Sequence, residues 1–243
     1  MRYLVLSDIH GNLEALEAAL AASPPCDHVL VLGDLVGYGA DPNAVIDRIT
    51  ALPSVTCIRG NHDKVACGIE SADDFNPLAR RAISWTADVL TPEHREWLCA
   101  LPKGPVAVDA DVEICHGSPF DEDEYVFNEQ QAAHALRLAT RRICLCGHTH
   151  VPMRVSASGQ APPGPATMGR GTTTLVEGTR YFVNCGAVGQ PRDGDPRAAF
   201  GVLDLVAATL DVLSAAYDVG RARTKILAAG LPQSLGDRLV LGR

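Results

Sequence analysis

Five polar clusters in the first 150 residues combine aspartate, histidine and asparagine: Asp8-Ile9-His10, Gly33-Asp34, Gly60-Asn61-His62-Asp63, His116-Gly117 and Gly147-His148-Thr149-His150. Carboxylate, imidazole and carboxamide donors suit manganese, iron or zinc, whereas a structural zinc cage draws on thiolates, and no C-x-x-C pair is present. Asp8, His10, Asp34, Asn61, His116, His148 and His150 make seven candidate ligands, more than one ion needs. They suffice for two ions if the carboxylate of Asp34 bridges them. In the pairs Asp8/His10 and His148/His150, an extended backbone would aim alternate side chains to one side. A lone histidine is more often a satisfied core or surface residue, and that reading applies to His28, His94 and His134.

These clusters need a scaffold that delivers them to one place. Arg2–Ser7, His28–Leu32 and Val55–Ile58 are short, apolar runs of the kind that form buried parallel strands. Helices lie between them: Leu13, Leu16 and Leu20 recur at helical spacing, and Asp41-Pro42 marks an N-cap and first helical residue before Val45, Ile46 and Ile49. Alternating strands and helices predict an α/β sheet, whose ligands bind beyond the carboxyl ends of the strands, so residues 8 to 150 can converge. Asn76-Pro77 and Thr91-Pro92 open two further helices. Val106–Val108 and Val112–Cys115 read as a hairpin, followed by a helix over about 129–139 and a strand over Arg142–Cys146. On that strand Cys144 and Cys146 share a face, which suits packing. Ser156–Thr172 reads as a long loop. Thr173–Val176, Arg180–Asn184, Ala199–Leu205 and Thr209–Leu213 read as strands, and a helix from about Asp218 to Ala229 precedes a short tail.

The chain of 243 residues is 47% hydrophobic and 21% charged, enough to bury a core without disulfides, and we read 1–243 as a single domain. Its 21 basic against 29 acidic side chains, a net −8, argue against duplex nucleic acid and anionic lipid as partners. No run reaches the ~20 apolar residues of a membrane span. Tyr3–Leu6 is too short for a signal-peptide core, so the expected location is cytoplasmic, with reduced thiols.

Taken in order, Asp-x-His, Gly-Asp, Gly-Asn-His-Asp, His-Gly and Gly-His-Thr-His resemble the calcineurin-like metallophosphoesterase superfamily. Gly33–Gly39 and Asn184–Arg192 look like its smaller bacterial and archaeal branch, often labelled as phosphodiesterases or diadenosine-tetraphosphatase-like proteins. The resemblance implies a four-layer α/β/β/α sandwich with a dinuclear site at one rim. It implies that Asp8, His10 and His150 hold one metal, that Asn61, His116 and His148 hold the other, and that Asp34 bridges. The cofactors implied are two divalent ions, manganese first, with iron, nickel, zinc or magnesium as alternatives. The reaction implied is hydrolysis of a small phosphodiester by a metal-bridging hydroxide, without a covalent phosphoenzyme. Phosphomonoesters and dinucleoside polyphosphates are alternative substrates for the same donors. A metal-binding scaffold without turnover and a nuclease acting on long DNA are the rival readings. His62 would be the histidine that is not a ligand, stabilising the transferring oxygen or protonating the leaving group, with Asp63 holding its ring.

Purple acid phosphatases would require a tyrosine ligand three residues after the bridging aspartate; here that position is Gly37, and Tyr38 lies one further. Tyr38 is therefore a pocket wall or part of a tight turn. Asn184-Cys185-Gly186-Ala187 departs from the Asn-Pro-Gly-Ser form of relatives and lacks its hydroxyl, leaving the amides around Gly186 and the Arg192 side chain as phosphate contacts. Arg59 is a second candidate for substrate contact; Arg192 alternatively pairs with Asp193 or Asp195. Asp121–Glu124 is either a solvated loop or an acidic overhang that repels large polyanions, and Arg221, Arg223 and Lys225 read as the wet face of the last helix. The partner expected is a small phosphorylated molecule; a monomer and a homo-oligomer are both compatible with the chain.

Overall fold

Side chains alternate along each strand, and the runs Tyr3–Leu6 and Ile143–Cys146 are buried and apolar on both faces, so the sheets that contain them must be covered twice there. The computed structural model describes residues 1–159 and 161–243; Gln160, within the expected Ser156–Thr172 loop, lies outside the described residues. The first part of the chain runs β1 (Arg2–Leu6), α1 (Leu13–Ala22), β2 (His28–Val31), α2 (Pro42–Thr50), β3 (Val55–Cys57) and α3 (Asn61–Cys67). Then come α4 (Pro77–Val89), α5 (Pro92–Ala100), β4 (Val106–Ala107), β5 (Val112–Ile114), α6 (Glu129–Leu138) and β6 (Ile143–Cys146). The remainder is β7 (Met153–Ser158), β8 (Thr167–Met168), β9 (Gly171–Thr174), β10 (Thr179–Asn184), β11 (Ala198–Asp204), β12 (Thr209–Ala215), α7 (Val219–Ala228) and α8 (Gln233–Leu241).

Two six-stranded sheets result, ordered β3-β2-β1-β11-β12-β9 and β4-β5-β6-β10-β7-β8. Strands β1, β2 and β3 are mutually parallel, as are β5, β6 and β10, and each trio continues into an antiparallel neighbour, β11 or β7. Tyr3, Val5, Leu30 and Leu32 of the first sheet meet Ile143, Leu145 and Val183 of the second in the central core. Leu4, Leu6 and Val31 point the other way, onto Leu16, Ile46 and Ile49 of α1 and α2. Cys144, Cys146 and Phe182 face Ala132 and Leu136 of α6. This is the expected α/β/β/α order, and the two cysteines pack as their spacing suggests. A fourth cluster, from Ala79 and Ala82 of α4 to Ile226 and Leu239 of α7 and α8, closes over Tyr38 on one flank.

Four local expectations are revised. Strand β7 carries Met153 and Val155 inward where a long loop was expected from Ser156, and β8 and β9 also enter that segment; small polar residues had hidden the pairing. The tail after Ala229 is a helix, seated by Leu235 and Leu239. Asp41 precedes α2 but does not cap it, because its carboxylate is drawn 2.8 Å from Lys225 Nζ. Arg221 is exposed as a wet helix face requires, but the three side chains are not idle: Arg221 and the half-buried Lys225 bond Glu14, tying α7 to α1, while Arg223 pairs with Asp237. Among the described residues no helix is long and apolar enough to cross a membrane.

Leu145 is fully buried between the sheets. Leu145→Ala is expected to destabilise the protein by about 2–5 kcal/mol, read as a lower urea midpoint at unchanged slope.

Candidate metal centre

Asp8, Asp34 and Asn61 follow β1, β2 and β3, while His116 and His148 follow β5 and β6, so parallel pairing brings all five to one rim. The loops that carry them are laced together. The amides of Asp8, His10 and Gly11 donate to the carbonyls of Gly33, Asp34 and Leu35 at 2.9–3.1 Å, and Gly189 N–H donates to Asp8 O at 2.9 Å. The expected extended geometry of the Asp-x-His and His-x-His pairs is not adopted: Asp8, His10, His148 and His150 have φ of 53°, 49°, 69° and 61°. Left-handed residues turn each side chain toward the rim, a strained arrangement that the cross-loop hydrogen bonds hold in place.

Asp34 is the centre of the arrangement. Its Oδ1 accepts the His62 amide at 2.9 Å, while Oδ2 lies 3.5 Å from both His10 Nε2 and His116 Nε2. Two groups of ligand atoms therefore meet at one carboxylate: Asp8, His10, His150 with Asp34, and His116, His148 with Asp34. Asn61 joins the second group, its Oδ1 3.2 Å from His116 Nε2. All seven expected donors converge.

The hydrogen bonds fit a cation. His10, His116 and His150 each direct Nδ1 to a backbone carbonyl, of Val36, Leu32 and Gln190. A carbonyl only accepts, so the proton sits on Nδ1 and the Nε2 lone pair faces inward. His10 Nε2 and His150 Nε2 then face each other at 3.1 Å with no proton to share, whereas His116 Nε2 can approach the Asn61 oxygen at 3.2 Å only with a second proton or a metal ion on it. Acceptor against acceptor is repulsive until a cation lies between them. His148 is reversed: Nε2 donates to Asp123 O at 3.1 Å, leaving Nδ1 as the donor atom for metal.

Burial shapes the titration. It pushes the Asp8 carboxyl up to about 7 and holds the imidazoles of His62 and His148 down to about 4 and 3. Burial also acts to lower His116, but the carboxylates of Asp34 and Asp8 outweigh it and raise that group to about 10. Without metal the centre keeps a proton on His116, which a divalent ion must displace.

The flanking residues depart from several expectations. Asp63 does not hold the His62 ring. Its carboxylate accepts the amides of Val36 and Gly60 at 3.1 and 3.0 Å, which caps α3, and burial raises it to about 7. Among the described residues His62 Nδ1 has no hydrogen-bond partner; it is buried and pressed on Gly37, where a Cβ would come within 2.4 Å of that nitrogen. The ring is packed against Tyr38, Phe75 and His10, with centroids 4.5–4.8 Å apart. Tyr38 is thus a wall, although its φ of 56° makes it a turn residue as well. The guanidinium of Arg59 is committed to Glu122 in a two-pronged pair at 3.1 and 3.2 Å. Arg192 lies over the Tyr38 ring at 5.9 Å and bonds Gln190 Oε1; Asp193 and Asp195 pair instead with Arg170. The Gly186 amide donates to Asn184 Oδ1 at 2.7 Å, so it is not a free phosphate contact.

Residues behind the donors hold them in place. Asn184 also donates to Gly147 O and Thr149 Oγ1, fixing the His148–His150 turn. The acidic loop is an overhang with a wet outer side: Asp121 and Asp123 are exposed, while Glu122 is 4% exposed and Tyr125 stacks on His148 at 3.7 Å. Lys64, 1% exposed, anchors that loop by bonding Asp123 and lying 3.5 Å from Glu122. A buried lysine one residue past Gly-Asn-His-Asp is the signal that could have found this anchor.

Two outcomes follow from these contacts. A histidine raised to about 10 stabilises the fold fully below its unfolded value near 6.5, and that contribution is lost as pH rises through 10. Chelated protein should therefore lose about 2–3 kcal/mol of stability between pH 7 and 9 in urea titrations, while metal-loaded protein should not. Lys64→Met leaves Asp123 and Glu70 without their shared ammonium, Glu122 keeping Arg59, and frees the loop behind His148. Calorimetric titration with Mn²⁺ should show uptake at the His116/His148 group weakened at least tenfold, with the Asp8/His10/His150 group little changed.

A model of the calcineurin-like phosphoesterase superfamily domain matches residues 1–208. The MJ0912 protein of Methanocaldococcus jannaschii is 34% identical over 250 residues, covering 98% of this chain and 97% of its own. Among solved structures, a metallophosphoesterase from Sphaerobacter thermophilus superposes with a TM-score of 0.86 at 37% identity, covering 100% of this chain and 99% of the other. The PH1004 protein of Pyrococcus horikoshii shares the fold, with a TM-score of 0.81 at 21% identity over 100% and 98% of the two chains. A family match across most of the chain and a rim of seven convergent donors lead to one assignment: this chain belongs to the calcineurin-like phosphoesterase superfamily.

Proposed function

We propose that the protein is a dinuclear-metal phosphoesterase that hydrolyses a small phosphodiester. The observation that carries this reading is Asp34 Oδ2, equidistant at 3.5 Å from an imidazole of each donor group, which favours a carboxylate shared between two ions. When bound, two divalent cations would supply an activated water as nucleophile and positive charge at the phosphoryl oxygens. They carry more charge than Asp8 and Asp34 remove, so the rim attracts an anion although the chain is net −8.

The chain's own groups do the rest. Asp8 is held by Ser7 Oγ and by the His148 amide, which fix its carboxylate with Oδ1 3.4 Å from His150 Nε2. His62, neutral and with Nδ1 turned inward, has Nε2–H to donate to a phosphoryl or leaving oxygen. Arg192 free of carboxylate partners favours a second contact to phosphate. The thiols behind the rim, Cys146 and Cys185, are raised by burial, the latter to about 12, which favours direct attack by water over a covalent cysteine intermediate.

The test strips the protein with chelator, restores Mn²⁺, Fe²⁺, Ni²⁺, Zn²⁺ or Mg²⁺ singly, and compares a nitrophenyl phosphodiester with the matching monoester. Manganese comes first because an all-N/O donor set accepts it. Diester turnover should return with metal, and His62→Gln should lower kcat about 100-fold while metal content stays at two per chain. Two bound metals with no hydrolysis of either ester would sink the reading.

A further inference from the structure

Beside the donors lies a cavity of about 280 Å³, near the lower end of ligand-site volumes, with Asn61, His62 and His148 on its metal side. Its other walls are the α3–α4 connection and the overhanging acidic loop. Phe75 packs on His62 at 4.7 Å and Tyr125 on His148 at 3.7 Å, so an aromatic ring flanks each histidine that faces the opening. The charged lining is Glu70, Asp74 and Asp123 against one ammonium, Lys64. That ammonium has nothing left to offer a ligand: it is 3.0 Å from Glu70, bonded to Asp123 and 3.5 Å from Glu122. Asp74 has no ion pair among the described residues, and Arg59 is turned away onto Glu122.

We propose that this cavity is the subsite for the organic ester group of the substrate, and that it selects a cationic or uncharged group over one that carries further negative charge. The inference rests on the phosphoesterase reading and narrows it. Metal charge at the floor takes the phosphoryl group, while carboxylates and aromatic faces a few ångströms away suit an ammonium or a neutral alkyl alcohol. A second phosphate in the same place would meet three carboxylates and an ammonium already paired with two of them, so dinucleoside polyphosphates are disfavoured by the same lining.

Binding can be read without turnover. Calorimetry of the full chain loaded with Mn²⁺ would use three methylphosphinates, which have no ester bond to hydrolyse and whose second group on phosphorus is 2-(trimethylammonio)ethyl, propyl or 3-carboxypropyl. The trimethylammonio compound should bind at least tenfold more tightly than the carboxypropyl one, with propyl between. In the double variant Glu70→Lys, Asp74→Lys, both sites being exposed, the order should invert. Dissociation constants equal within twofold, no binding of any of the three, or an order that survives the charge reversal would each overturn the subsite. Nitrophenyl diester hydrolysis without charge selectivity removes this inference alone; selective binding without hydrolysis of any ester removes the catalytic reading alone.

Discussion

A carboxylate can be fully buried only if every lone pair finds a positive or hydrogen-bonding partner, and Asp34 imposes that constraint on the whole rim. Burial acts to raise its pKa, yet the facing His116 and His62 leave it well below the usual carboxylate range. Its Oδ1 requires the His62 amide, which requires α3 to begin at Asn61. That start brings Gly60 so close that a Cβ there would lie 2.2 Å from Asp34 Oδ1, so only glycine fits. Asp63 then holds the same turn from behind by accepting the Gly60 and Val36 amides. The Gly-Asn-His-Asp cluster is thus one device for seating a neighbouring carboxylate, and its four residues have four different tasks.

Strain is concentrated at the same place. Six residues of the rim other than glycine, Asp8, His10, Asp34, Tyr38, His148 and His150, are left-handed, a conformation that costs roughly 1–2 kcal/mol each. Scattered on the surface such residues would relax. Here the amides of Asp8 and His10 are tied to the Gly33–Asp34 loop, the Gly147 amide to His116, and the Arg192 amide to His150, so no loop can relax by itself. The buried sheets beneath supply the stability that this tolerates. The result is a set of donors held apart from their relaxed rotations and ready for an ion, which keeps the ordering cost out of the binding step.

The scaffold was legible where local chemistry and tertiary demand agree. Proline at the first position of α2, α4 and α5 and the alternation of Ile143 to Cys146 locate those elements without knowledge of the fold. All seven donors could be chosen because strand ends in an α/β sheet share one edge. What could not be read is which partner each polar side chain takes. Asp63 sits next to His62 in sequence, but helix geometry turns its carboxylate back to Gly60. Arg59 and Arg192 look alike in a sequence, and only packing shows that Glu122 claims the first while Asp193 and Asp195 leave the second. Lys64 escaped notice because buried lysines are rare, and its three acidic neighbours come from two distant segments.

The division of the donors between sheets has a thermodynamic consequence. The strand ends of the first sheet supply Asp8, His10, Asp34 and Asn61, while the second supplies His116, His148 and His150. Each donor group draws on both: His150 completes the set of Asp8 and His10, and Asn61 completes that of His116 and His148. Sliding one sheet against the other would therefore break both groups together, although the apolar layer between the sheets would tolerate a small shift more readily. Metal affinity and sheet packing are in this sense one quantity. An ion that binds only the native register stabilises that register by RT ln(1 + [L]/Kd), and each buried methyl group between Tyr3, Leu30, Leu145 and Val183 in turn holds the donors at ligand distance. The central core of a metal-dependent rim is as much a part of its binding site as the side chains that touch the ion.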